Sequence, residues 1–178
     1  MHTENRRRID IIRDDAFLVD VTSVELETLR ERRTLADDVE TELSYYRRLL
    51  HGRMDLLAFE MRRRAGEETE SLIDALPKIL GAGESTSDSV GRVPTHLAPD
   101  LPDERRRHID RVLGDDFLAR LPMIEDAELG EIQTSLAETE REVSDERKIA
   151  QRAFDTVQSE IMRRYRDGLA DDTALLSD

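Results

Sequence analysis

The sequence predicts an all-α protein in which two long helices form an antiparallel coiled coil, each preceded by a short helix. Three observations support this fold class: the composition, an apolar residue at every seventh position, and an internal repeat. Charged residues and hydrophobic residues each make up 38% of the 178 residues, and aromatic residues only 4%. This balance favours helices that bury a narrow apolar stripe and expose the rest of their surface.

The repeat joins residues 4–64 to residues 104–164, which align without gaps. Chance similarity between two charged helices is the alternative explanation, but apolar, hydroxyl and acidic positions all keep register. We interpret the repeat as an internal duplication. Identical pairs include Ile9/Ile109, Asp10/Asp110, Phe17/Phe117, Glu40/Glu140, Ser44/Ser144, Arg47/Arg147, Asp55/Asp155 and Arg64/Arg164.

Each repeat is predicted to contain a short helix (5–19 and 103–120) and a long helix (24–65 and 123–167). Thr22 with Glu25 fits a capping box and Pro122 fits a first helical position, while Gly66 and Gly168 fit helix ends. The domain boundaries that follow are a first repeat at 1–70, a linker at 71–103, a second repeat at 104–168 and a tail at 169–178.

The linker is predicted to be flexible because Gly, Ser and Pro are frequent in residues 76–102. A flexible segment of this length permits either direction for the second long helix. We expect the antiparallel arrangement, since adjacent helices in one chain usually reverse.

The apolar positions of the two long helices recur every seven residues, which is typical of a left-handed coiled-coil seam. Met and aromatic residues broaden the seam and are interpreted as core. The seam positions are Leu29, Ala36, Leu43, Leu50 and Leu57 on the first helix, and Leu129, Leu136, Val143, Ala150 and Val157 on the second.

Beside each seam runs a polar stripe whose five members have the same spacing on both helices. At about 100° per residue, the five side chains of one helix fall on one face that flanks the apolar seam. Pairing of the helices is therefore expected to bring the two stripes onto a shared groove. The stripe residues are Glu40, Ser44, Arg47, His51 and Asp55 on the first helix, and Glu140, Ser144, Arg147, Gln151 and Asp155 on the second.

The residue types of the stripes suit a guanine nucleotide. Arg can donate two parallel hydrogen bonds to guanine O6 and N7. A carboxylate can accept from guanine N1–H and N2, and Ser, Gln or His can contact phosphate or ribose oxygens. The alternative is a solvated face with ion pairs along each helix, but that explanation gives no reason for Ser to recur at one surface position.

Charge and composition exclude several function classes. A net charge of −14 argues against broad attraction to nucleic acid or to an anionic membrane, so we expect a basic protein partner and no direct DNA binding. The absence of Cys excludes disulfides and thiol catalysis. No long apolar segment, metal-binding motif, P-loop or nucleophile elbow occurs, so we expect a cytoplasmic protein that is not an enzyme and holds no metal.

The stripes resemble the motif of the RsiG family of actinobacterial anti-sigma factors, E-x3-S-x2-R-x3-Q-x3-D on each of two coiled-coil helices. Residues 140–155 match every motif position. Residues 40–55 match four of the five, with His51 where the family has Gln.

The resemblance implies that the ten stripe residues bind cyclic di-GMP, as a dimer, as a regulatory ligand. It also implies that the ligand-bound protein sequesters the sporulation sigma factor WhiG and thereby blocks the transcription that this sigma factor directs. Two alternatives stay open: a ligand-free coiled-coil scaffold or adaptor, and a hydrolase with paired carboxylates. The hydrolase is disfavoured because no set of metal ligands accompanies the carboxylates.

Overall fold

A computed structural model describes residues 7–82 and 117–175, and these residues are helical apart from short turns. No strand occurs in either range, which confirms the all-α fold class. The elements in chain order are α1 (Arg8–Arg13), a 3-10 turn (Asp15–Phe17), α2 (Leu26–Arg64), α3 (Leu72–Ala82), α4 (Phe117–Arg120), a second 3-10 turn (Leu121–Met123) and α5 (Asp126–Leu175).

The chain divides into two compact units, and each unit contains parts of both long helices. Of the described residues, the first unit takes in 7–43 and 145–175, and the second takes in 44–82 and 117–144. Within the first unit, Leu29 near the start of α2 packs against Val157 and Ile161 late in α5. Within the second unit, Arg64 at the end of α2 contacts Asp126 at the start of α5. The antiparallel direction of the two helices is therefore confirmed within each unit.

The heptad seam forms the core in both units. All ten predicted seam residues are buried, from Leu29, Ala36 and Leu50 at 0% exposure to Val143 at 4%. Val39 and Tyr46, predicted to broaden the seam, are also buried. The burial of every seventh residue confirms the coiled-coil pattern.

Helix α1 is anchored to the first unit by apolar burial and by ion pairs. Ile9 and Ile12 are almost completely buried. Arg8 pairs with Asp38 at 3.0 Å, and Arg13 pairs with Glu146 at 3.5 Å. The short first helix was predicted over 5–19; the structure ends the α-helix at Arg13 and continues with a 3-10 turn.

The end of α2 is the C-cap that the sequence predicted. Gly66 has a φ of +79°, and its N–H donates to the carbonyl of Arg63 at 3.1 Å. The N–H of Glu67 donates to the carbonyl of Arg62 at 3.0 Å, which completes a Schellman motif.

Three other predictions of helix limits are wrong. Helix α5 does not end at Gly168 but continues to Leu175, because a single Gly costs a helix only about 1 kcal/mol. The Thr22–Glu25 capping box does not form, since residues 18–23 are turns and α2 begins only at Leu26. Pro122 lies in the second 3-10 turn, and α5 begins after it at Asp126.

Helix α3 lies inside the segment predicted to be a linker, residues 71–103. The hydroxyl of Ser71 accepts a hydrogen bond from the N–H of Asp74 at 3.3 Å, and Leu72 and Ala75 are buried. The Gly, Ser and Pro content of the whole segment obscured this cap and its two apolar residues. The rest of the linker, the start of the second short helix and the last three residues of the tail lie outside the described residues.

A pair of Gly substitutions tests the backbone conformations just described. Gly66→Ala is expected to lower the free energy of unfolding by about 1 kcal/mol, because L residues are strained at positive φ. Gly130→Ala, inside α5, is expected to raise it by up to about 1 kcal/mol, because Ala is the better helix former. A new Cβ meets nothing within 4 Å at either position, so the backbone alone decides the sign. Chemical denaturation checks both values; equal effects of the two substitutions would contradict the assigned cap.

Two clusters, which we call clasps, join the C-terminal part of each long helix to the turn that precedes the other. In the Glu60 clasp of the second unit, Glu60 is fully buried and accepts hydrogen bonds of 2.8 Å from Arg63 and Arg64. Arg64 also donates to the backbone carbonyls of Ile124 (2.7 Å) and Leu121 (3.1 Å). Its guanidinium thus satisfies a buried carboxylate and the open carbonyls of a turn together.

The Glu160 clasp of the first unit has the same design at the equivalent positions. Glu160 accepts hydrogen bonds of 2.8 Å from Arg163 and Arg164. Arg164 then donates to the carbonyls of Val24 at 2.7 Å and Val21 at 3.0 Å. Each clasp therefore fixes the register of the helix pair in its own unit.

The Glu160 clasp predicts a loss of stability in acid. Hydrogen bonds from Arg163 and Arg164 lower the pKa of Glu160 from 4.5 to about 2. Since the folded pKa is lowered, the stabilisation is present above about pH 4.5 and is lost as the pH falls towards about 2. We expect a loss on the order of 2 kcal/mol over this window, with allowance for solvent around Arg163. Denaturation at several pH values checks this, and Glu160→Gln should flatten the dependence; an unchanged pH profile in that variant would refute it.

Candidate functional site

All ten stripe residues lie on α2 and α5, and each unit contains part of the set. The division follows from the antiparallel pairing, which places the beginning of one stripe beside the middle of the other. The first unit contains Glu40, Arg147, Gln151 and Asp155, and the second contains Ser44, Arg47, His51, Asp55, Glu140 and Ser144.

In the second unit, four stripe residues form a hydrogen-bonded group that we call the Glu140 cluster (Arg47, His51, Glu140 and Ser144). Arg47 Nε donates to Glu140 Oε1 at 3.2 Å and to Ser144 Oγ at 3.1 Å. Ser144 Oγ donates to the same Glu140 oxygen at 2.7 Å. His51 Nε2 lies 3.1 Å from that oxygen. One carboxylate oxygen therefore gathers three side chains from both helices.

The Glu140 carboxylate remains ionised in this setting. Burial raises its pKa, but the hydrogen bonds from Ser144, His51 and Arg47 outweigh burial, so the pKa lies below its ordinary value. An ionised Glu140 can only accept hydrogen bonds, so the His51 nitrogen that contacts it must carry a proton.

Arg47 is held in place while its end remains accessible. Both of its contacts within the described residues use Nε, and its side chain is 41% exposed. The two terminal nitrogens can therefore donate hydrogen bonds to a further acceptor. This is the geometry of an anchored guanidinium that presents a two-donor edge.

In the first unit, Arg147 and Glu40 form the matching contact, which we call the Glu40 pair. Arg147 Nη1 donates to Glu40 Oε1 at 3.1 Å, and the side chains are 28% and 12% exposed. Arg147 Nε is buried and has no acceptor among the described residues. A buried donor without a partner costs roughly 1–3 kcal/mol of stability. A ligand that accepts a hydrogen bond from Arg147 Nε would remove this cost.

The other four stripe residues differ in burial. Asp55, Gln151 and Asp155 are exposed, and Ser44 is half-buried. The structure therefore brings together six of the ten predicted residues, four in one group and two in the other. The carboxylates of Asp55 and Asp155 are on the same helices as Arg47 and Arg147, two turns further along.

The sequence did not predict that the first stripe residue of one helix would pair with the arginine of the other. The signal was available, because an antiparallel register that aligns the two seams also places residue 40 near residue 147. The sequence also did not predict the two clasps. The repeat of Glu, Arg and Arg at 60, 63 and 64 and at 160, 163 and 164 was the signal that could have identified them.

Other classes of site were sought in the described parts of the chain. Residues 7–82 and 117–175 contain no group of three or more His, Asp or Glu side chains that could hold a metal ion. In the same ranges, every helix is too short or too polar to cross a membrane.

Comparison with known proteins bears on the first repeat. Residues 15–80 match the model of a family described as RsiG-like. No curated protein matches the chain. The matched segment includes all of α2 and the stripe at 40–55, the first of the two stripes on which the resemblance was based. Over residues 15–80, the chain is therefore similar to the RsiG-like family.

Proposed function

We propose that this protein is an anti-sigma factor that binds cyclic di-GMP through the ten stripe residues and then sequesters a WhiG-like sporulation sigma factor. The observation that carries the proposal is the state of Arg47. Glu140 and Ser144 hold its Nε, while its terminal nitrogens remain for a ligand. Such an arrangement supports recognition of a planar acceptor edge, and the similarity to the RsiG-like family indicates which ligand to test.

Guanine fits the chemistry of the second unit. The terminal nitrogens of Arg47 would donate to O6 and N7 of the base, the bidentate contact that Arg makes most often with guanine. The exposed carboxylate of Asp55 would accept from N1–H and N2. Since adenine lacks this combination of acceptors and donors, the pair of residues would select guanine.

The first unit offers the same residue types around the Glu40 pair. Arg147 would contact a guanine in the same way, with Asp155 as the acceptor for its N1–H and N2. Gln151, which is exposed, would donate to a phosphate oxygen. Each set suits a ligand that carries guanine and phosphodiester groups.

The sigma factor would be recognised by charge and released when the nucleotide is lost. A protein of net charge −14 can cover a basic DNA-binding surface and compete with promoter DNA. The nucleotide would act by bridging the two proteins or by stabilising the helix pair that binds the sigma factor. Either mechanism makes sequestration depend on the nucleotide.

Capture of a WhiG-like sigma factor on immobilised protein, with and without cyclic di-GMP, tests the regulatory step. We expect retention with the nucleotide and loss of retention after it is washed out. Transcription from a promoter of that sigma factor should fall only when protein and nucleotide are both present. Equal capture in the two conditions would contradict ligand control.

The second candidate function is a ligand-free coiled-coil scaffold. One observation favours it: the contacts of Arg47 with Glu140 and of Arg147 with Glu40 already link the helices without a ligand. In that case the stripes would only stabilise the helix pair. A scaffold would bind its partner independently of nucleotide, so the capture experiment separates the two functions.

A further inference from the structure

The two halves of the stripe differ at one position, and the structure gives that difference a chemical consequence. His51 occupies in the first repeat the position that Gln151 occupies in the second. His51 Nε2 lies 3.1 Å from Glu140 Oε1, whereas Gln151 is exposed.

We propose that His51 makes nucleotide binding at the Glu140 cluster depend on uptake of a proton, while binding at the Glu40 pair is independent of pH. This inference rests on the proposed cyclic di-GMP function. It concerns the regulation of that site.

The first step of the argument is the hydrogen-bonding capacity of the imidazole. Because Glu140 is ionised, the contact with it consumes the Nε2–H of His51. In the neutral ring the remaining nitrogen, Nδ1, is then an acceptor and cannot donate to a phosphate oxygen. Protonation converts Nδ1 into a donor and adds a positive charge, both of which favour a phosphodiester.

Gln at the same position behaves differently. Its amide group always offers two donors and never changes charge. An exposed Gln151 can therefore donate to a phosphate oxygen at any pH, so the first unit should bind without proton uptake.

Charged groups on both helices face His51. Glu140 on α5 attracts the imidazolium, and Arg47, one turn earlier on α2, repels it while it shares the same carboxylate oxygen. Asp55, one turn later on α2, is an exposed acidic stripe residue. The anionic ligand adds further negative charge when it binds, which is why the bound state should favour the proton more than the free state does.

His51 is the only imidazole among the four residues of the Glu140 cluster. Imidazole ordinarily changes charge between about pH 5 and 8. The pKa of Glu140 lies below its ordinary value, and guanidinium groups stay charged. Proton uptake near neutral pH can therefore be assigned to His51 by substitution.

The experiment is calorimetric titration of the full chain with cyclic di-GMP from about pH 5.5 to about pH 8, in buffers of different ionisation enthalpy. The wild type is expected to bind roughly tenfold more tightly at the acidic end and to take up a fraction of a proton on binding. His51→Gln should show no uptake and a pH-independent affinity. Gln151→His, which exchanges the residue in the other repeat, should increase the uptake.

The outcomes separate this inference from the function on which it rests. Saturable binding with the same proton uptake in wild type and His51→Gln would overturn the role of His51 and leave the proposed function intact. No binding by any variant at any pH, in protein shown to be helical by circular dichroism, would overturn both. Binding by His51→Gln at all pH values without proton uptake is the result that supports the inference.

Discussion

Replacement of both stripe arginines, Arg47→Ala with Arg147→Ala, is expected to weaken cyclic di-GMP binding by at least roughly 100-fold. Each arginine would supply a bidentate contact to one guanine, and each such contact is worth about 1–3 kcal/mol. Loss of Arg47 also frees Glu140 and Ser144, which hold it at 3.2 and 3.1 Å. Titration of the variant by calorimetry or fluorescence measures the loss.

The matched control for these substitutions is available on the same helices. Arg48 follows Arg47 directly, and Arg141 lies on α5 between Glu140 and Ser144; both are exposed. Arg48→Ala with Arg141→Ala removes the same charge but leaves the clusters intact, so its affinity should stay within about threefold of the wild type. If the control loses affinity as fully as the stripe variant, net charge and not the stripe determines binding.

The largest effect on stability is expected from Arg64→Ala with Arg164→Ala, which opens both clasps. Each substitution removes a charge-assisted hydrogen bond to a buried Glu and at least two hydrogen bonds to backbone carbonyls. Each should lower the free energy of unfolding by about 2–3 kcal/mol, because buried acceptors are left without donors. Thermal and chemical denaturation measure the loss.

Two variants make the clasp experiment specific. Arg166 is exposed on α5, so Arg166→Ala should change stability by less than about 0.5 kcal/mol. Arg164→Lys keeps the charge but cannot reproduce the forked contact with Glu160 and the Val21 and Val24 carbonyls, so it should lose most of what Ala loses. Full stability of Arg164→Lys would show that charge alone, without the fork, explains the clasp.

The sequence predicted the core of this protein well because a coiled coil is specified by local periodicity. Every seventh residue from Leu29 to Leu57 and from Leu129 to Val157 was predicted to be buried, and each is. Burial of an apolar side chain depends on its own position on the helix, and this follows directly from spacing.

Helix ends were predicted less well because they depend on contacts made at a distance. Gly66 was identified correctly, since its positive φ is a local requirement. Gly168 was not, because nothing in its neighbourhood forces the helix to stop. Helix α2 begins at Leu26, after a turn in which the carbonyls of Val21 and Val24 accept hydrogen bonds from Arg164. These contacts join residues that are far apart in the sequence.

The candidate site shows the same difference between features set by local spacing and features set by distant contacts. Spacing alone placed the ten stripe residues on one face of each helix, flanking the seam. Which stripe residues touch each other depends on the register between the helices, which the spacing along a single helix does not specify. The pairing of Arg47 with Glu140 and of Arg147 with Glu40 became evident only in the folded units.

Side-by-side calorimetric titration of the wild-type chain with cyclic di-GMP and with cyclic di-AMP tests the central claim most directly, because the two ligands share their phosphodiester ring and differ only in the base. The account predicts saturable binding of cyclic di-GMP with micromolar or tighter affinity and binding of cyclic di-AMP at least roughly 100-fold weaker. Absence of any binding signal with cyclic di-GMP in fully helical protein, or equal affinity for the two nucleotides, would contradict it.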